Sequence, residues 1–456
     1  MTELRDLLRH TADLAADHLE APADTPVTTP VAPAGLLAAL GGPLPDAPGD
    51  PVAVVEMLAR EAAPGIVRTN VGRYFGFVTG GTLPAALAAD WLASTYDQNP
   101  AFQVLSPAAA AVEEVAARWL CDLLDLPDDA SVGFTTGAQM ANVAALAAAR
   151  GAVLRQVGWD VDADGLNGAP ELTVIVGEER HATIGRALRF LGLGERRVTV
   201  VPADGQGRMR ADALAEVLGS GPTIVCTQAG NVNTGASDPF EPICSLARES
   251  GAWVHVDGAF GLWAAASPAH RHLVAGVGAA DSWATDGHKW LNVPYDCGVV
   301  VCADPEAHRT AMSVSAAYLA RAGGRDGSDW TPESSRRARG FAVWAALRSL
   351  GRSGVADLVA GCSDHARRFA ELLAEDPEVE ILNEVVLNQA LARVADDDER
   401  TAAVAAAVQR DGTVWLGTTV WQGVTALRIS VSDAATTADD IEVAARAVRR
   451  AVAQTA

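Results

Sequence analysis

The chain has 456 residues, 49% apolar and 20% charged, which argues against a disordered or fibrous protein. Its net charge of −22 repels phosphate backbones and argues against general nucleic-acid binding. No apolar run reaches the roughly 18 residues that span a bilayer, and the basic side chains are 34 arginines and one lysine, Lys289.

The N-terminus, Met1 to Asp6, is polar and acidic and does not read as a secretory signal. Residues 1–75 are short helical stretches broken by eight prolines between Pro22 and Pro51. Proline at this density prevents one long helix and favours an extended arm. We take residues 1–83 as an arm with too little core of its own, expected to pack on another surface such as a second subunit.

Residues 84–310 change pattern. Val112, Val115, Trp119, Leu120 and Leu123 recur at helical spacing over 107–125. Apolar runs at 172–176, 198–201, 223–225, 253–256, 281–285 and 299–302 read as strands. Helices such as 182–191 and 212–218 separate several of them. This alternation predicts βαβ units and a mainly parallel sheet, the α/β class.

Residues 311–456 carry a Gly-rich polar segment (321–329) and a helix over 333–350. A strand over 379–394, a helix, strands over 413–431 and a last helix capped by Thr437 and Asp440 follow. This reads as a small α+β domain. The six cysteines form no Cys-x-x-Cys pair, so a reducing, cytoplasmic setting with neither disulfides nor a metal site is expected.

In an open α/β sheet, ligands bind beyond the carboxyl ends of the strands. Gly133-Phe134-Thr135-Thr136 leads through Gly137, Ala138 and Gln139 into a helix. Their backbone N–H groups either cradle an anion or only make a turn. His181 follows the strand at 172–176, as a surface cap or as a flat ring that stacks on an aromatic ligand. Asp257 closes the strand at 253–256, where a buried carboxylate must be paired or hydrogen-bonded. His288 and Lys289 follow 281–285, as a solvated basic pair or as reactive groups between Trp283 and Trp290.

One cofactor uses all four features. Pyridoxal phosphate offers a phosphate to the helix N-terminus, a ring face to the histidine, a ring nitrogen to the carboxylate and an aldehyde to the lysine. Asp257 would keep the ring nitrogen protonated, so that the ring accepts electrons from a bond breaking at Cα. Asp257 precedes Lys289 by 32 residues.

Asp281-Ser282-Trp283-Ala284-Thr285-Asp286-Gly287-His288-Lys289-Trp290-Leu291-Asn292-Val293-Pro294-Tyr295-Asp296-Cys297-Gly298 resembles a known family nearly throughout. It is similar to the lysine segment of the pyridoxal-phosphate-dependent group II amino-acid decarboxylases, which include aromatic-amino-acid and glutamate decarboxylases. His255 to Gly261 is similar to their ring-nitrogen segment, His181 to Ala187 to their stacking-histidine segment, and Tyr74 to Gly80 to an N-terminal pocket stretch. The resemblance covers about residues 25–440.

The resemblance implies fold type I: a large domain with a mainly parallel seven-stranded sheet, a helical N-terminal arm and a small α+β C-terminal domain. It implies Lys289 as the amine that condenses with the aldehyde, Asp257 at the ring nitrogen, His181 on the ring and His288 beside the phosphate. Ala259 and Asp286 fall inside these segments as further cofactor contacts. Phe77, Thr79 and Phe102 would line a pocket for an amino-acid substrate, in a homodimer with intertwined arms.

Two departures matter. Where the family has Gly-Thr-Thr near the cofactor's 3-hydroxyl, this chain has Gly230-Asn231-Val232. The contact must come from Asn231 or Gln228, or be absent. The family's mobile loop carries a tyrosine that protonates the carbon left when CO₂ departs, and that slot holds Gly327. Of the four tyrosines, Tyr318 is the nearest candidate donor. Losing a general acid costs a factor of about 10²–10⁴.

The leading expectation is therefore decarboxylation of an L-amino acid to an amine. A second is another reaction on the same cofactor: aldehyde formation, amino transfer or carbon–carbon bond formation. A third, a non-catalytic binding or scaffold relative, conflicts with the single lysine standing in the lysine slot. For the substrate, Arg68, Arg73, Arg321 and Arg325 are candidates to hold an acidic side chain, and Phe77, Phe102 and Trp330 to hold an aromatic one.

Overall fold

A computed structural model describes residues 2–22, 24–314 and 324–455. Helices α1 (Thr2–Leu19), α2 (Pro33–Leu40) and α3 (Pro51–Ala62) lead the chain. Proline opens α2 and α3, where a missing N–H is no loss, and Asp50 caps α3 by accepting from Ala53 N. Neither α2 nor α3 has a buried residue. The arm is tied down between them and the rest: Val27 N donates to Gly412 O at 2.8 Å and Arg68 N to Val27 O at 2.9 Å.

Helices α4 (Pro84–Tyr96) and α5 (Pro107–Leu123) precede β1 (Ser131–Thr135) and α6 (Ala138–Arg155). A one-turn α7 (Val161–Asp164), β2 (Thr173–Gly177), α8 (Ala182–Phe190), β3 (Thr199–Val201) and α9 (Ala211–Val217) follow. Then come β4 (Thr223–Gln228), α10 (Phe240–Ser250), β5 (Trp253–Asp257), β6 (Ser282–Asp286), β7 (Gly298–Cys302) and α11 (Pro305–Met312). These strands form one seven-stranded sheet in the order β1-β7-β6-β5-β4-β2-β3. Only β7 runs against its neighbours. The expected mainly parallel sheet is present, with β1 a further strand beyond those expected.

Small residues set the packing. Ala141, Ala144, Ala145 and Ala148 of α6 pack on Ala284, Val300 and Cys302 of the sheet. Alanine lets the helix axis approach closely, which brings the N-terminus of α6 down to the end of β6.

The remaining elements are α12 (Gly340–Ala374), β8 (Val379–Ile381), β9 (Gln389–Val394), α13 (Asp398–Asp411), β10 (Gly417–Trp421), β11 (Val424–Ser430) and α14 (Ala438–Gln454). Their four strands make an antiparallel sheet in the order β10-β11-β9-β8. Two expectations change here. The helix expected at 333 begins at Gly340, because Arg336, Arg337 and Arg339 are drawn to Glu113, Asp90 and Asp296. It then runs to Ala374 across a break at Gly351, whose φ of 62° suits glycine. The single strand expected over 379–394 splits in two. Asn383 takes over the backbone bonding there, accepting from Leu391 N and donating to Gln389 O and Thr234 O. The capping box of Thr437 and Asp440 forms as expected.

Candidate active site

Strands β1, β2, β4, β5 and β6 share one direction, so their carboxyl ends share one edge of the sheet. That edge collects the site. Asp257 ends β5 and is 5% exposed. Its Oδ2 accepts from Thr183 Oγ1 at 3.1 Å, while its Oδ1 is buried without a partner among the described residues. A buried carboxylate oxygen is costly unless something donates to it.

His181 is the N-cap of α8. Its Nδ1 lies 2.8 Å from Thr183 Oγ1 and 3.3 Å from Thr183 N. The residue is open to the cleft, yet the protein packed around the ring lowers its pKa. Asp257 opposes that fall, and Lys289 and Arg428 add to it.

Asp286 ends β6 and is 3% exposed. Lys289 Nζ lies 3.1 Å from its Oδ2. Its Oδ1 accepts from Ala138 N at 2.6 Å. The three-amide cradle expected at 137–139 is thus modified, since a carboxylate already engages Ala138. Gly137 keeps this space open: a Cβ there would lie 3.2 Å from His288 Cε1 and 3.4 Å from Asp286 Oδ1, a tight fit. Gln139 instead reaches sideways, its Nε2 donating to Thr183 O. His288 Nδ1 accepts from Cys297 N at 3.0 Å, so in the neutral ring Nε2 carries the proton, 3.5 Å from Asp286 Oδ1. Burial lowers the pKa of His288, with Asp286 opposing.

A narrow cleft opens among these groups, lined by His181, Gln228, Val232, Asp257, Ala259 and Lys289, among others. A larger hollow of about 260 Å³ between α5 and α12, by Trp119 and Gly351, brings no histidine or lysine to its wall. The smaller one is where the chemistry lies.

Other expected residues fall in several places. Asn231 is not brought to the cavity wall. Its Oδ1 accepts from Asn233 N and Thr234 N and its Nδ2 donates to Glu179 O, so the loop consumes the amide. Gln228 spends Nε2 on Glu179 O and Gly207 O and lines the cavity. Phe77 has φ 53°, is 62% exposed and stacks on Trp415 at 5.5 Å. Thr79 is buried. Phe102 is half-buried in the loop between α4 and α5 and does not line the cavity. Tyr318 and Arg321 lie outside the described residues. The other candidate arginines go elsewhere: Arg68 and Arg73 to Thr25 O, Arg325 to Val132 O on the edge strand β1.

Sequence reading missed three residues. Thr183 could have been found, as a hydroxyl two places after a capping histidine. Asn292 ties the lysine segment together, with Oδ1 accepting from Gly81 N and Ala434 N and Nδ2 donating to Ser432 O. Arg428 is half-buried on β11, with Nη1 3.5 Å from Val232 O and no ion pair among the described residues. Burial lowers its pKa. Nothing local in the sequence marks either of these two.

Fold and site together define a fold type I enzyme of pyridoxal phosphate. The orphaned Asp257 Oδ1, the opening that Gly137 preserves and the amine of Lys289 fit that cofactor's ring nitrogen, phosphate and aldehyde. The pyridoxal-dependent decarboxylase conserved domain matches residues 33–393, and the chain belongs to that family. It is 26% identical to tyrosine decarboxylase 2 of Arabidopsis thaliana, over 92% of this chain and 81% of the relative. It is equally 26% identical to phenylacetaldehyde synthase of the same plant, over 94% and 91%. The structure of Oryza sativa TDC with PLP and tryptamine superposes with a TM-score of 0.93 at 23% identity, over 100% of this chain and 98% of that one.

Proposed function

We propose that the chain decarboxylates an L-amino acid to the corresponding amine, with Lys289 as the amine that condenses with the cofactor's aldehyde. One observation carries this reading. The only lysine of the chain and a buried carboxylate oxygen without a partner among the described residues belong to the walls of one cavity.

When bound, the cofactor supplies an electron sink for the bond that breaks at Cα. The chain's own residues do the rest. Asp257, steadied by Thr183, keeps negative charge where a protonated ring nitrogen needs it. His181, its pKa lowered by burial, offers a flat neutral face. The opening at Gly137 and the Nε2–H of His288 serve the phosphate side, next to the Ala138 amide that Asp286 engages. Arg428, a half-buried cation near Val232, holds the substrate carboxylate. Phe77 and Thr79 form the side-chain wall, with Trp415 behind Phe77. Orienting the carboxylate bond by these contacts favours its cleavage over the others at Cα.

Residues 1–83 act as a dimerisation arm, 84–310 as the cofactor domain and 311–456 as the C-terminal domain. Leu37 at 74% exposed and Leu44 at 91%, with Val54, Met57 and Leu58, leave the arm an uncovered apolar surface suited to a second copy. Six free, buried cysteines suit a reducing cytoplasm, and no described helix is long and apolar enough to cross a membrane.

A second reading, formation of an aldehyde with molecular oxygen as the oxidant, is favoured by Gly327. A Cβ there would lie 2.2 Å from Arg336 Nη2 and 2.4 Å from Pro100 O, so no tyrosine fits the position. The test is to incubate the holoenzyme with the proteinogenic amino acids and identify products by mass spectrometry. Amine plus CO₂ supports the first reading; aldehyde with ammonia and peroxide supports the second. Borohydride reduction should attach the cofactor to Lys289. The reading fails if added cofactor gives no visible absorbance and Lys289→Ala binds it equally well.

A further inference from the structure

Three atoms beside the cavity form a hydrogen-bond chain whose direction can be worked out. Thr183 Oγ1 lies 3.1 Å from Asp257 Oδ2 and 2.8 Å from His181 Nδ1. A hydroxyl has one proton to give and lone pairs to accept with. An ionised carboxylate can only accept. Asp257 is almost fully buried, and among the described residues Thr183 is the one donor to its side chain. The hydroxyl proton therefore goes to Asp257.

The 2.8 Å contact with His181 is then favourable only if Nδ1 carries a hydrogen. With Nδ1 bare, two lone pairs would face each other at that distance. The competing arrangement, in which Nδ1 accepts from Thr183 N, has the longer separation of 3.3 Å. Each tautomer leaves one contact unfavourable: a bare Nδ1 leaves the 2.8 Å contact repulsive, whereas a protonated Nδ1 gives up only the longer one with Thr183 N.

We propose that Thr183 is a positioning residue that fixes the tautomer of His181: the carboxylate of Asp257 orients the hydroxyl, and the hydroxyl holds the proton on Nδ1. Nε2 of the neutral ring is then the nitrogen left to accept a proton or a hydrogen bond. One side chain thus couples the group under the ring nitrogen to the group on the ring face. This inference rests on the reading that the cavity holds pyridoxal phosphate, which keeps Asp257 ionised.

The test uses holoenzyme carrying ¹⁵N-histidine. The nine histidines are few enough to resolve, and the His181 signals are assigned by their loss in His181→Gln. At neutral pH, His181 should show a protonated Nδ1 and a bare Nε2. Thr183→Val removes the hydroxyl, so Nδ1 should turn to the backbone N–H and the tautomer should reverse. Thr183→Ser should restore the wild-type pattern, which a purely structural role for the side chain would not require. A wild-type ring protonated on Nε2 overturns the proposal, and so does a Thr183→Val protein that keeps Nδ1–H. Absence of a visible band on adding the cofactor would instead sink the cofactor reading, and the wild-type tautomer is read even if the valine variant fails to fold.

Discussion

Asp257 shows how a single residue combines a satisfied and an unsatisfied atom. Thr183 steadies one oxygen, and the other is buried with no partner among the described residues. Replacing the carboxylate by an amide keeps the shape and removes the charge. In Asp257→Asn we expect the decarboxylation step to slow by a factor of about 10²–10⁴ while the cofactor still condenses with Lys289, as single-turnover kinetics and the visible band would show. Residue identity and order made Asp257, His181 and Lys289 legible in the sequence. The roles expected of Asn231 and a free Ala138 amide were not so legible. Whether a donor is free depends on which neighbours the fold sets against it, and here Glu179 and Asp286 take them.

Between elements, one ion pair joins α5 to the segment before α12. Arg336 grips Glu113 with two bonds, at 2.6 and 2.9 Å, and both side chains are 1% exposed. Removing one charge strands the other in the interior. Glu113→Gln should therefore lower stability by about 3–5 kcal/mol, read from the urea midpoint, and adding Arg336→Met should recover part of the loss. This pair also explains why the helix expected at 333 starts later. Local propensity favours helix there, but buried arginine must reach its partner, and tertiary pairing overrides propensity. The same guanidinium fills the space beside Gly327, which is why that slot holds no side chain.

Across the whole molecule, buried titrating groups pull stability in opposite directions with pH. Burial pushes Asp433 up to about 6 and Asp238 up to about 7. Both start from an unfolded value near 3.9. Between the two values the fold keeps a proton that the unfolded chain has lost. Their contribution is present in acid and is lost as pH rises through the folded value. His255 behaves oppositely: burial lowers it to about 4, below its unfolded value, so stability is lost on acidification. These terms offset one another in the wild type. Asp433→Asn isolates one of them, because Asp433 Oδ2 has no partner among the described residues to lose. Its stability relative to wild type should climb between about pH 4 and pH 6, by at most about 1.4 kcal/mol per unit, and then level off. Urea unfolding at several pH values checks this.

By itself the sequence determined the fold class and the cofactor, and it named candidate residues to hold that cofactor. It could do so because strand periodicity, a single lysine and a few polar residues after strands are local signals. Only the tertiary structure decided which groups share the cavity, which amides are already engaged, and that Thr183, Asn292 and Arg428 belong to the site's surroundings. Those facts arise from contacts between segments far apart in the chain, such as Gly81 N on Asn292 Oδ1, 211 residues apart, and burial gives such contacts an energy that no local pattern records.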